Sequence, residues 1–122
     1  MAEKSGPQQT FVLRQKVEDF ADWFFPIVDR FPAREKWALG TEIKRCVYSL
    51  IHRAIRLQKA KRRREQLYEF DIDLETLRSL IRRAHAARYL SNRRLRVVFE
   101  RIGEIGKILG ALIKREQQGA RP

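Results

Sequence analysis

The chain of 122 residues has one cysteine, Cys46, so it cannot build an internal disulfide framework, and a reducing, cytoplasmic setting is expected. No stretch approaches the roughly 18 consecutive apolar residues that a membrane span requires, which removes a membrane partner from the expected set. Residues 1–9 are polar, include Glu3, and do not read as a signal peptide. Four prolines and six glycines leave few points at which helices must stop. No segment alternates apolar and polar residues long enough for a half-buried strand, so sheets are excluded. Catalytic strings are missing as well: no GxxxxGK[ST], GxSxG or HExxH sequence occurs. His52 and His85 show no metal-ligand spacing with each other or with Cys46. Neither a metal, nor a cofactor, nor an enzymatic activity is expected.

One charge sign is in excess. Lys and Arg number 27 against 15 Asp and Glu, giving a formal net charge of +12 and a pI near 10.7. A positive field of that size gathers polyanions, and nucleic acid is the commonest polyanion, since each neutralised phosphate releases a counterion. The remaining composition, 43% hydrophobic, is that of a folded domain. At this length one domain with its own core is expected, without help from a metal or disulfide.

Apolar periodicity predicts four helices. Residues 1–9, with Gly6 and Pro7, read as a disordered tail, and Thr10 as an N-cap for a helix over 10–29 carrying Leu13, Val17, Phe20, Phe24, Ile27 and Val28. The Phe31-Pro32 step ends it and opens a second helix over 32–61, with Leu39, Ile43, Val47, Leu50, Ala54 and Leu57 on one face. A third helix over 64–88 carries Leu67, Phe70, Leu74, Leu77, Ile81 and Ala84. After a joint at Tyr89-Leu90-Ser91-Asn92, with Ser91 or Asn92 as N-cap, a fourth runs over 92–117, and 119–122 form a tail. Four amphipathic helices with short joints, together spanning 10–118, predict an all-α, antiparallel up-down-up-down four-helix bundle.

The candidate site is cationic. Arg45, His52, Arg56, Lys59 and Arg63 fall on the side of the second helix away from its apolar face, on a stripe of about 27 Å at the helical rise. Lys61, Arg62 and Arg64 thicken its far end. Arginine suits phosphate because its planar fork bonds two oxygens at once. A second basic group, with Arg82, Arg93 and Arg94 foremost, surrounds the joint of the third and fourth helices. It sits at the opposite end of an antiparallel bundle from the KAKRRR run at 59–64. The acidic patch Glu65, Glu69, Asp71, Asp73 and Glu75 reads as ion pairing and dipole complementarity at a helix start, with Arg78 a nearby partner. A helical-bundle enzyme using Asp71, Asp73 or Glu75 is the weakest reading. Gly103, Gly106 and Gly110 each cost about 1 kcal/mol inside the fourth helix, so close approach of another backbone is expected there, within the bundle or at a subunit contact. Trp23, Phe25 and Trp37 lie at the margins of their stripes and fit a covered edge or an interface.

In order along the chain, FPAREKWALGTEIKR (31–45), FDIDLETLRSLIRRAHAARYLS (70–91) and FERIGEIGKILGALIKR (99–115) resemble the accessory variability determinant family of diversity-generating retroelements. That family is related to the four-helix-bundle proteins of ribosomal intervening sequences. The resemblance covers roughly residues 15–115. It implies a homopentamer of four-helix bundles with a basic surface around a central channel, no active site, and two partners: the element's reverse transcriptase, and RNA or DNA. The implied role is support of mutagenic cDNA synthesis. The alternative is a scaffold of the intervening-sequence type whose positive surface meets an acidic protein.

Overall fold

In a computed structural model, which describes residues 6–119, five helices follow one another: α1 (Gly6–Val28), α2 (Ala33–Lys36), α3 (Leu39–Lys59), α4 (Arg64–Ala86) and α5 (Asn92–Gly119). The four long helices form a closed ring of neighbours, in which α1 packs on α3, α3 on α4, α4 on α5, and α5 back on α1. This is the all-α four-helix bundle that the periodicity predicts. The single turn of α2 lies against α3.

The core is the set of predicted stripes turned inward. Leu13, Val17, Phe24 and Val28 of α1, Ile43, Val47, Leu50 and Leu57 of α3, Phe70, Leu77 and Ile81 of α4, and Val98 and Ile102 of α5 lose all contact with solvent. A fully buried side chain of this kind contributes about 1.5–3 kcal/mol through removal of apolar surface from water. Among the described residues no buried side-chain nitrogen or oxygen lacks a hydrogen-bond partner.

The helix ends differ from expectation in three places. α1 starts at Gly6 and not at Thr10, because Pro7 falls in its first turn, where a missing N–H costs nothing. Thr10 is therefore a buried residue inside the helix and not an N-cap. The rest of the expected N-terminal tail, residues 1–5, and residues 120–122 lie outside the described residues. Pro32 opens only α2; the chain turns again at Trp37–Ala38, and α3 begins at Leu39. Glycine suits position 40, since a Cβ there would stand 3.1 Å from Val28 Cγ1 at the end of α1. Finally, α3 stops at Lys59, and Ala60 is extended. Leu57 is the last apolar residue of its stripe, and further turns would bury nothing while stacking Lys59, Arg62 and Arg63 at repelling spacings.

The α4–α5 joint ends in a Schellman turn. Tyr89 N–H donates to the Ala84 carbonyl and Arg88 N–H to the His85 carbonyl, both at 2.9 Å. This places Arg88 at φ 68°, the left-handed region that glycine favours. Tyr89 then meets Phe31 with ring centroids 5.5 Å apart, which pins the joint to the end of α1. The Ser91 hydroxyl accepts the Arg94 N–H at 3.0 Å, so Ser91 is the α5 N-cap. Replacement Arg88→Gly relieves the left-handed penalty and is expected to raise stability by about 1 kcal/mol in urea denaturation. An unchanged or lowered midpoint would show that the arginine side chain holds the turn.

Candidate nucleic-acid interface

The basic residues are placed by the joints more than by any single helix face. Arg45, His52, Arg56 and Lys59 lie exposed along α3. Arg63 does not continue that stripe, because α3 has ended: it precedes α4 and lines a cleft with Thr10, Leu57, Leu67, Leu112, Arg115 and Glu116. The helical part of the stripe, Arg45 to Lys59, is thus about 21 Å long, and Lys61 and Arg62 lie on the loop beyond it.

Charge pairing separates these cations into two kinds. Arg45 has Glu42 at 3.9 Å, and Arg56 Nε donates to Gln66 Oε1 at 3.2 Å. Among the described residues, Lys59, Lys61, Arg62, Arg63 and Arg64 have no carboxylate within 4 Å. These five surround the start of α4, which no side chain caps. A helix N-terminus carries partial positive charge and free N–H groups, so arginines beside it intensify the potential there. Lys59, by contrast, sits comfortably at the C-terminal end of α3. Unpaired cations converging on an uncapped helix start make an electrostatic trap for an anion.

The second zone lies at the other end of the bundle, separated by the 23 residues of α4, about 34 Å. Arg93 and Arg94 are exposed in the first turn of α5, again at a positive helix end. Arg82 is more constrained. Its guanidinium reaches Glu75 at 3.5 Å and lies 5.9 Å from the centre of the Phe99 ring.

The acidic patch of α4 is used internally. Asp73 accepts a hydrogen bond from Arg53 Nε at 2.6 Å and from Ser49 Oγ at 2.6 Å, tying α4 to α3. Arg53 also reaches Glu69 at 3.5 Å. Glu75 pairs with Arg78 at 3.1 Å. Arg53 was not singled out from sequence; its spacing of four from Ser49, and the acids facing it on the next helix, are the signal. Cys46 stands beside this clamp, with Sγ 3.2 Å from the Asp73 carbonyl. Burial, then the charges of Asp73 and Glu42, push its thiol up to about 11. Among the described residues no three His, Cys, Asp or Glu side chains are grouped to hold a metal ion.

The three glycines of α5 diverge. A Cβ on Gly106 would stand 3.1 Å from the Arg78 guanidinium, so this glycine faces α4, whereas one on Gly103 or Gly110 would meet nothing within 4 Å. The margin aromatics diverge too. Trp23 is half-buried beneath Arg101, 4.3 Å from its ring centre, Phe25 packs on Tyr48, and Trp37 is 77% exposed.

With fold and charge distribution described, comparison with known proteins places the chain in a class: residues 11–116 match the bAvd-like family, and the chain belongs to it. This is the bacterial accessory variability determinant family, and membership implies a non-catalytic accessory protein of a diversity-generating retroelement. A search of curated proteins found no match. No helix among the described residues is long and apolar enough to cross a membrane.

Two tests address this arrangement. Asp73→Ala strands Arg53 and Ser49 in a partly buried seam and is expected to cost about 2–4 kcal/mol in urea denaturation. Asp71→Ala, an exposed carboxylate on the same helix, should stay within about 0.5 kcal/mol; equal losses would refute the clamp. At pH 8 the Cys46 thiolate population should be about a hundredfold below that of an ordinary thiol. Disulfide-exchange labelling should therefore be slow in the native protein and fast in urea. Since the folded thiol is raised, its contribution to stability is present below the ordinary thiol range and declines as pH rises towards 11.

Proposed function

We propose that this accessory protein binds nucleic-acid backbone through the basic residues at its joints and associates with the element's reverse transcriptase to support mutagenic cDNA synthesis. The observation that carries the reading is the group Lys59, Lys61, Arg62, Arg63 and Arg64 at the uncapped start of α4, unpaired in a chain of net charge +12. Five cations within six residues, none with a carboxylate within 4 Å among the described residues, repel one another despite Glu65 in the first turn of α4, and a polyphosphate relieves that repulsion while releasing counterions. Arg45, His52 and Arg56 extend the track along α3, and Arg82, Arg93 and Arg94 continue it at the opposite end. No base-reading module is present in the motif pattern, so binding should be largely indifferent to base sequence.

Assembly of several copies, a homopentamer by family resemblance, would join such tracks into one longer surface. The openness of α5 at Gly103 and Gly110 supports a contact there with a second copy, because among the described residues no neighbour within 4 Å accounts for the loss of side chains at those positions. Gly106 has an internal neighbour and is a weaker candidate.

The experiment is a salt titration of RNA binding on wild type and on a Lys59/Lys61/Arg62/Arg64→Ala variant, with mass followed by light scattering. Wild type should lose affinity steeply as salt rises, and the variant should flatten the log–log slope by about one for each phosphate contact removed. The mass should exceed 14.5 kDa and should fall towards that value in Gly103→Arg/Gly110→Arg. A shallow slope in wild type, or identical slopes in the two proteins, would overturn the nucleic-acid reading. A mass of one chain would overturn the assembly.

A further inference from the structure

Trp37 and Tyr48 are two large aromatic side chains that the bundle leaves in solvent, 77% and 58% exposed. They are not scattered. Both line one groove of about 710 Å³, whose other walls are Asp29, Lys36, Thr41, Lys44 and Arg45. Helical spacing produces the arrangement: Thr41, Lys44, Arg45 and Tyr48 recur at three, one and three along α3, on one flank, and the α2–α3 turn sets Lys36 and Trp37 over its upper end.

The rings are supported from behind. Phe25 meets Tyr48 edge-on, with centroids 5.3 Å apart and planes at 86°. Lys44 is held by Asp29 and lies 5.3 Å from the Phe25 ring centre. Lys36 lies 5.7 Å from the centre of the Trp37 ring and has no carboxylate within 4 Å among the described residues. The groove therefore offers aromatic faces beside three cations against the single lining carboxylate Asp29, with Glu42 reaching Arg45 from outside.

We infer that this groove holds an unpaired segment of a nucleic-acid strand, with bases stacked on Trp37 and Tyr48 and the flanking phosphates on Lys36 and Arg45. The chemistry selects the ligand. Exposed aromatics interleaved with cations match the alternation of base and phosphate in a single strand, whereas a duplex hides its base faces and meets such a groove only through phosphates. An acidic peptide would satisfy the cations and leave the two rings in water. The volume is that of a small-molecule pocket, adequate for one or two nucleotides. The inference rests on the nucleic-acid reading above, and adds that the protein distinguishes single strands from duplexes.

The test uses the full chain, with anisotropy of labelled oligo(dT), oligo(U) and a duplex of equal length, on wild type, Trp37→Leu, Trp37→Phe and Tyr48→Leu. Both leucine variants should lose about five- to a hundredfold in single-strand affinity, the span of one base–aromatic stack, while duplex affinity stays within about twofold and Trp37→Phe restores most of the loss. Loss with oligo(dT) or with oligo(U) supports the site and tells which sugar it accepts. Unchanged single-strand binding in both leucine variants overturns it, as does an equal fall for duplex. Light scattering runs alongside: a lower mass in Trp37→Leu would make the groove a contact between copies and overturn the inference. If wild type binds neither strand nor duplex, it is the broader reading that has failed, and the two failures are told apart by the wild-type duplex arm.

Discussion

Phe24 of α1, Leu50 of α3, Leu77 of α4 and Ile102 of α5 are all withdrawn from water, one from each wall of the bundle. On a chain of net charge +12 that apolar seam is the main source of cohesion, and the Arg53–Asp73 pair adds a polar tie between α3 and α4. Every other feature is conditioned by it. Stripes must face inward continuously, so cations are confined to outer faces and to joints, and α3 ends where its stripe ends. Leu57 is the last core residue of α3, and two residues later the helix stops. Lys61, Arg62 and Arg63 thus fall in the loop before α4, without a glycine or proline.

Where cations do approach the seam they are neutralised. Arg53, with only a quarter of its side chain exposed, is met by Asp73 and Glu69; Arg78 and Arg82 share Glu75. A cation half withdrawn from water needs such a partner, since its lost hydration has no other compensation. The carboxylates spent there are unavailable elsewhere. A chain with few acids therefore becomes electrically segregated, balanced along the α3–α4 contact and uncompensated at the ends. The positive ends follow from the packing of the seam, and a ligand that neutralises them also removes repulsion that opposes folding, so binding and stability are linked.

Much of this was legible in the residues. The core stripe of α4 agrees with its buried set position for position, and that of α3 does so from Ile43 onward, with Leu39 only partly buried and Gly40 buried in its place, because a period near 3.6 has one inward solution when four stripes must meet. Ser91 is a cap because its hydroxyl is the nearest acceptor for an otherwise orphan N–H. What escaped depends on contacts between distant positions or on backbone that composition does not announce. Arg88 takes the left-handed turn usually left to glycine. Thr10, a residue type favoured at caps, is buried because Pro7 lets α1 begin earlier. The break at Trp37–Ala38 has no proline of its own, and the residues there do not announce it. Arg63 shares the wheel position of the α3 stripe, but the chain leaves the helix after Lys59 and carries Arg63 to the start of α4.

The same break bears on the candidate surface. Had Pro32 opened one unbroken helix, Trp37 would sit a turn below Thr41 on a straight rod, with a flank too flat to enclose anything. With the turn between Lys36 and Leu39 in place, Lys36 and Trp37 line one groove together with Thr41, Lys44 and Arg45 of α3. Gly40 lets the start of α3 lie against Val28, where a Cβ would be 3.1 Å from its Cγ1. Trp37 and Tyr48 thereby stand in the wall of a concave, aromatic and basic surface. Concavity matters because a convex basic face meets phosphates alone, while a groove with rings in its wall can take hold of bases as well.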